Sequence, residues 1–494
     1  MNLRTLPLTL LVLLPAFAQA QQFVFDSLCR QAYTALFSLR LDVGIGLCQA
    51  AHTRNPANLI PLMLENYADF FHIFICEDPS QLESFKNRKN KRLSQLKKSD
   101  SQSPWMRHAQ AQIQLQYALA LLITRQYVSG LLELRRAFFL FEENIKSFPN
   151  FKPSYTGYYL IQSLTGTAPV HYQWALKLMG FDGSGETAMH GFRQLYEADW
   201  GTESFLKDEA LHVWISLLFH LKGNKQEAWS LIQQMNYPLP DNLFSYLTVI
   251  RIALHSNHND QALSLLDNIP ASEEYPDVPL LAYFRGLSLL HKLDPACISY
   301  FELFLSQNKS ASMVKTAYQK IAWAYLIQDK PAQYHTYITL ARERGEAITE
   351  TDRQAQNEAT ANSIPHPQLL RARLLFDGGY YARALTLLNG MKSDSLNPYH
   401  QTELAYRLAR TLHESGDTAQ AIPYYMTALN KGRNLPYYFA ANAALNLGYI
   451  YEARGNYPLA KMYFTQVYEL DNHAYAASLQ LKAKAALARI ALKE

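Results

Sequence analysis

Apolar and polar positions along this chain alternate in the three- and four-residue steps of amphipathic helices, and the helices come in pairs. The clearest pair carries Leu447, Gly448 and Tyr451, then Gly455 and Tyr457, then Ala460, Phe464 and Val467. Small residues at Gly448 and Ala460 let two helices approach closely, while Tyr451 and Phe464 fill the space beside them. The same frame stands upstream at Leu408, Ala409, Leu412, Gly416, Ala421, Tyr425 and Ala428, and again at Ala372, Leu375, Gly379, Tyr381, Ala384, Leu388 and Met391. Ala384 and Ala421 are 37 residues apart, and Ala421 and Ala460 are 39 apart. A second block has Ser216, Phe219, Gly223, Ala228, Ile232 and Met235, followed by Ile250, Ala253, Ala262, Leu266 and Ile269, with 34 residues from Ala228 to Ala262. Fainter copies lie at Gly286–Phe304 and Ala322–Ala341, and a degenerate one comes first, with Ala32, Ala35, Gly44, Cys48, Ala51 and a closing Asn55-Pro56-Ala57-Asn58. A unit repeated at such a period buries its apolar face only against its neighbours, so the pattern predicts an all-α solenoid of stacked helical hairpins.

Between Phe70 and Asp208 the repeat is lost and the helices read as longer, with Gln110–Leu122 and Ser129–Phe148 amphipathic before Pro149 and Pro153. The chain is thus expected to divide into a divergent helical region at 21–207, repeats at 208–345, a polar linker at 346–367 and further repeats at 368–473. The alanine-rich stretch 474–494 has helical spacing and no partner helix after it, and is expected to cap the last unit.

The first twenty residues read as a secretory signal, with Arg4, an apolar run from Leu6 to Phe17 and the small-residue pattern Ala18-Gln19-Ala20. The mature chain is expected to begin at Gln21 and to be periplasmic, cell-envelope associated or secreted. Pro7 and Pro15 count against a membrane anchor, and later apolar stretches such as Phe70–Cys76 and Ala118–Ile123 are too short to span a bilayer. Across the 494 residues, 6 Trp, 32 Tyr and 24 Phe exclude a disordered chain. The net charge of +4 does not favour nucleic acid as a partner. Four cysteines exclude a disulfide-built scaffold; Cys29 and Cys48 fall on one hairpin and read either as a bridge or as two buried thiols.

The order of residues from Leu447 to Phe464 resembles the tetratricopeptide repeat (TPR) consensus, and the upstream copies are similar to it. That resemblance implies a right-handed superhelix whose first helices line a concave face, and a role in protein–protein interaction or assembly without chemistry of its own. It also implies that the residues three before, one after and four after each small position project into that face. These are Leu369, Arg373 and Phe376; Tyr406, Arg410 and His413; and Leu445, Tyr449 and Glu452. Arginine holds carboxylates bidentately and tyrosine offers contact area at low entropy cost, so an acidic peptide or protein segment suits this lining. The family's Lys/Asn carboxylate clamp is not reproduced, so recognition of a chaperone C-terminus is not implied. The stretches Tyr158–Leu164, Leu178–Gly183 and His190–Leu195 resemble a segment of the eukaryotic inclusion-body-clearance family of TPR proteins, in which a long helical N-terminal half precedes TPR units.

Other candidate chemistry is sparse. Gly180-Phe181-Asp182-Gly183-Ser184-Gly185 is glycine-rich, but no strand precedes it and no Lys-Ser/Thr follows, so it reads as a turn between helices. His255, His258 and Asp260 lie in the turn of one hairpin without a third fixed ligand, and neither a metal nor another cofactor is expected. Lys86, Arg88, Lys89, Lys91, Arg92, Lys97 and Lys98 form a basic cluster interleaved with Leu82, Phe85, Leu93 and Leu96. It reads as a solvated helix face or, alternatively, as a membrane-surface contact for anionic lipid or acidic glycan. A further alternative is an enzyme whose cleft lies in the 70–208 region, with Glu133, Glu142 or Glu143 as acid or base.

Overall fold

Helices are the regular structure of the described residues, apart from one isolated bridge between Gln22 and Asn58. The computed structural model describes residues 22–491 except 76–77, 100–101, 167–175, 177–179, 182–184, 221–223, 236, 238–239, 362–363 and 474. The expected leader at 1–20, Cys76, Asp182 to Ser184 and Gly223 therefore lie outside the described residues.

Two compact units divide the chain. The first runs to Leu217 and includes Ser272–Pro276; the second comprises Leu218–Ala271 and Asp277–Glu494. The first holds α1 (Ser27–Phe37), α2 (Leu41–Arg54), α3 (Ile60–Phe74), α4 (Leu82–Leu96), α5 (Pro104–Ile123), α6 (Tyr127–Ser147), α7 (Pro153–Gly166), α8 (Gly185–Glu197) and most of α9 (Lys207–His220). In the second lie α10 (Lys225–Gln234), α11 (Leu243–His255), α12 (Asn259–Asp267), α13 (Pro279–His291), α14 (Cys297–Gln307), α15 (Val314–Leu326), α16 (Pro331–Glu343) and α17 (Glu350–Thr360). It continues with α18 (Pro367–Asp377), α19 (Tyr381–Asn389), α20 (Pro398–Glu414), α21 (Thr418–Gly432), α22 (Phe439–Ala453), α23 (Tyr457–Glu469) and α24 (Ala476–Ala491).

One turn recurs in both units. Between α1 and α2, Leu39 takes φ 68° and the Arg40 N–H donates to the Ala35 carbonyl at 2.8 Å. This bond, closed around a single left-handed residue, is the Schellman end of a helix. The same pair of features appears at Arg125, Asn257, Leu293 and Asp329, and at Gly379, Gly416 and Gly455 in the last three hairpins, with the closing bond at 2.8–3.0 Å throughout. Glycine adopts this conformation without a Cβ penalty, which is why the last three hairpins announce themselves in the sequence. The turn at Arg125 shows that the α5/α6 pair, inside the stretch where the repeat pattern was expected to be lost, keeps the hairpin of the repeat.

Packing within the hairpins of the second unit follows the size alternation. A Cβ added at Gly448 would lie 2.5 Å from the Phe464 ring, and one at Gly286 would lie 3.1 Å from the Phe301 ring. The clear and the faint repeats therefore use one device: a glycine on the first helix seats an aromatic of the second. Phe464, Tyr425 and Phe301 are fully buried, each ring worth about 2–3 kcal/mol by area.

The first unit keeps this device, with Gly157 against the Phe141 ring and Gly191 against the Tyr159 ring, and adds an aromatic cluster and a polar layer. Phe25, Tyr33, Phe37, Tyr67, Trp105 and Phe205 interleave with centroids 4.8–6.4 Å apart. Beside them a polar network crosses the helices: Asn66 Nδ2 donates to Gln116 Oε1 at 2.7 Å, and buried Arg92 donates to Asn66 Oδ1 at 3.1 Å and pairs with Asp69.

One expectation is corrected, and one open alternative is decided. The stretch 346–367 is not an open linker: it contains α17, started by a capping box between Thr349 and Asp352 and docked through Glu358, which accepts from Gln319 Nε2 at 2.7 Å and Trp323 Nε1 at 2.8 Å. Its polar side chains are the contacts, so low apolar content does not mean a loose segment. Cys29 and Cys48 are free buried thiols rather than a bridge. Asn58 Nδ2 approaches Cys29 Sγ at 3.6 Å, and burial pushes that thiol up to about 12.

Candidate binding groove

Helices α18 and α20 and the N-terminus of α22 frame a solvent-open pocket of about 190 Å³, in which Arg373, Phe376, Tyr406, Arg407, Arg410 and Tyr438 carry most of the chemistry. Arg410 stands 5.1 Å over the Phe376 ring, and its Nη1 donates to the Tyr406 hydroxyl at 3.3 Å. Its Nε has no hydrogen-bond partner among the described residues. Each arginine has a carboxylate one helical turn away: Asp377 at 3.7 Å from Arg373, Glu414 at 3.4 Å from Arg410, and Glu403 paired with Arg407. The first two contacts are long and half-exposed, the class of ion pair worth at most about 1 kcal/mol, so both guanidiniums remain available to an incoming anion.

A second cavity of about 450 Å³ adjoins the first through the shared residues Arg373 and Tyr438. Amides line much of it, namely Gln319, Gln354, Asn357 and Asn442, with Trp323 and Lys482. Arg373 stands 4.8 Å over the Trp323 ring and Lys320 Nζ 3.5 Å over the same ring.

The nine groove residues expected from sequence separate into three groups. Arg373, Phe376, Tyr406 and Arg410 meet at the pocket. Leu369 and Leu445 are buried in the packing between helices and do not line it, whereas the tyrosine at the equivalent position, Tyr406, reaches the pocket. His413, Tyr449 and Glu452 are occupied internally. The His413 ring nitrogen meets Tyr425 at 3.2 Å, Tyr449 packs edge-on to Phe464 at 5.2 Å, and Glu452 accepts two bonds from Arg489 of α24, at 2.7 and 2.6 Å. Sequence reasoning missed Arg407, Tyr438, Lys320 and Trp323. The rule of one residue after the small position, applied to Ala322, would have returned Trp323.

Most of the other candidates have partners within the fold. Lys89 and Arg92 of the basic cluster are buried, Lys89 at 3.3 Å from Glu133 and Arg92 against Asp69, while Arg88 reaches Asp69 at 2.6 Å. The run is therefore partly an internal ion-pair layer, and only Lys86, Arg88, Lys91, Lys97 and Lys98 remain at the surface. Glu133 is held by Lys89 and Arg136, Glu142 by Lys146 at 3.0 Å, and Glu143 by Arg107 at 3.8 Å, so these carboxylates do not converge on a cleft. His255 Nδ1 bonds the Arg251 carbonyl at 2.8 Å, His258 stacks on Trp229 at 4.3 Å, and Asp260 accepts from Tyr380 at 2.7 Å. No group of three metal-ligating side chains occurs among the described residues, and no helix among them is long and apolar enough to cross a membrane. Gly180, at φ 86°, precedes α8 in a turn between helices.

The tetratricopeptide repeat family matches residues 401–473, which span α20 to α23. Over these residues the chain carries tetratricopeptide repeats. Solved structures similar to this TPR chain include a monomeric IFIT1 mutant with Gppp-AAAA (13% identity, 90% of this chain and 91% of that chain, TM-score 0.37). Another is the human IFIT1 dimer with PPP-AAAA (13%, 89% and 88%, TM-score 0.36). A third is the APC/C hetero-tetramer Cut9–Hcn1 (11%, 94% and 95%, TM-score 0.24). No curated protein sequence matches the chain. The TPR architecture makes the protein an interaction scaffold in general terms.

Proposed function

We propose that the protein is an exported, non-catalytic scaffold or adaptor of the cell envelope or extracellular space whose groove in the second unit holds an acidic segment of a protein partner. The observation that carries this is the meeting of Arg373, Arg407 and Arg410 with Phe376, Tyr406 and Tyr438 around one solvent-open pocket. Planar guanidiniums pair with carboxylates in two-point geometry, and the rings supply contact area beside them. The leader at 1–20 supports export.

Labelled acetyl-hexaglutamate tests the groove by fluorescence anisotropy against the mature chain and an Arg373→Glu/Arg410→Glu variant of unchanged thermal stability. At least about a tenfold loss of affinity is expected, since charge-assisted bonds are worth about 1.5–3 kcal/mol each. Equal binding by both proteins overturns the assignment of the groove. Export is tested by fractionating cells that make the full chain and sequencing the N-terminus; recovery in the cytoplasm with residues 1–20 retained overturns it.

A further inference from the structure

Lys320 is the most unusual cation of the second unit. Its amine sits 3.5 Å over the Trp323 indole, and the Arg373 guanidinium stands 4.8 Å from the same ring. Like charges brought to one ring repel, and the nearby carboxylates Glu358 and Asp377 relieve them only in part. Glu358 already accepts from Gln319 and Trp323, at 2.7 and 2.8 Å, and from the Tyr334 hydroxyl at 3.3 Å. Asp377 lies 3.7 Å from Arg373. Lys320 has no ion pair among the described residues, and its hydrogen-bond partner is the neutral Gln319 Oε1 at 3.3 Å. Trp323 and Arg373 both face the cavity that adjoins the arginine pocket.

We propose that Lys320 and Arg373, gathered on Trp323, form a second anion anchor of the groove, which takes another carboxylate of the acidic segment and tightens as the solution becomes more acidic. This rests on the assignment of the groove to an acidic segment. The charged and titratable groups that bear on Lys320 are Arg373 and Asp377 from α18 and Glu358 from α17, with His291 of α13 sensing Lys320 in turn. Burial first, and the Arg373 charge second, hold the amine well below the ordinary lysine range. A carboxylate drawn from the cavity toward these cations offsets the second cause, so binding draws a proton onto Lys320 and its affinity declines as pH rises. His291 does not confuse the signal near neutrality, because burial holds it down to about 4.

The test is calorimetric titration of the mature chain with acetyl-hexaglutamate in two buffers of different ionisation enthalpy, from about pH 6 to about 9, a window in which free glutamate side chains do not titrate. Wild type is expected to take up protons and to lose about tenfold in affinity across the window, the change that one unit of pKa shift produces. Lys320→Met abolishes the uptake and the pH dependence, whereas Arg410→Met weakens binding and keeps both. If Lys320→Met retains wild-type proton uptake, or wild-type binding is independent of pH, while Arg410→Met still weakens binding, the second anchor is wrong and the groove stands. If hexaglutamate does not bind, or neither variant alters its binding, both fall. If hexauridylate binds more tightly than the peptide and loses affinity in the same variants, the occupant is a nucleic acid and the acidic-peptide assignment is overturned.

Discussion

The two units share a turn and differ in what the turn joins. At Leu39 and Arg125 in the first, as at Gly416 and Gly455 in the second, one left-handed residue closes a helix and starts its partner. In the second unit the space between the paired helices is filled by Gly448 against Phe464 and by alanines beside Tyr425. The first places Arg92, Asp69, Asn66, Gln116, Lys89 and Glu133 between its helices. The contacts from Asn66 to Gln116 and from Lys89 to Glu133 cross from one hairpin to the next. Within the hairpins Gly44 still meets Leu36 and Gly130 meets Leu122, so the small-against-large packing persists where the letters of the consensus do not.

The largest expected effect tests that difference of interior. Asp69→Ala leaves the buried Arg92 with Glu65, at 3.4 Å, as its one charged partner among the described residues, and removing one member of a buried ion pair costs about 3–5 kcal/mol. Phe464→Ala removes a fully buried ring at similar cost, about 3–5 kcal/mol. Urea unfolding followed by hydrogen exchange should place the first loss in helices α3 to α6 and the second in α20 to α24. A cost under about 1 kcal/mol for Asp69→Ala would make the ion-pair layer a surface feature.

A smaller effect separates the units by pH. Glu209 accepts from Tyr33 and Tyr67 at 3.0 Å and from Gln112 at 3.3 Å, with no ion pair among the described residues, and burial raises it from the ordinary 4.5 to about 7. An acid whose folded pKa is raised stabilises the fold below the unfolded value, and that stability is lost as pH rises from about 4.5 through about 7, by about 2–3 kcal/mol. Burial lowers His108 to about 3 and His291 to about 4, and such bases act oppositely, losing stability as pH falls below the ordinary 6.5. Between about pH 6.5 and 4.5 the first unit, with Glu209 offsetting His108, should hold nearly level while the second declines. Glu209→Gln should expose the acid loss in the first unit as well. A first unit already as acid-sensitive as the second in the wild-type chain would refute the offset.

How far the fold was legible follows from the same contrast. The C-terminal hairpins were readable because Gly379, Gly416 and Gly455 mark the turns and Gly448, Ala421 and Ala460 mark the close approaches. In the α5/α6 pair Arg125 does the work of glycine, and a non-glycine left-handed residue carries no sequence signal. The groove was half legible: Arg373 and Arg410 follow from their place after the small residue, while Leu369 and Leu445 went wrong because an apolar residue at the inner edge of the helix is drawn into the core. Lys89 and Arg92 misled for the converse reason, since their partners Glu133 and Asp69 are distant in sequence and a run of cations does not reveal its counter-charges.

The smallest expected effect concerns the shared turn itself. Gly416 takes φ 94° and a Cβ added there meets nothing within 4 Å, so Gly416→Ala isolates the conformational cost of a left-handed residue, about 1 kcal/mol. Asp329 occupies the same position of its hairpin at φ 58°, and its exposed carboxylate pairs with Arg371 at 2.9 Å. Asp329→Gly relieves that penalty and loses a surface ion pair worth under about 1 kcal/mol, so the net change should be close to zero or slightly stabilising. Arg371 keeps a partner in the Ile327 carbonyl, so no buried charge is stranded. Thermal unfolding of the two variants measures the asymmetry: equal costs, or a neutral Gly416→Ala, would mean that the turn is set by the packing of its helices rather than by the residue at its centre.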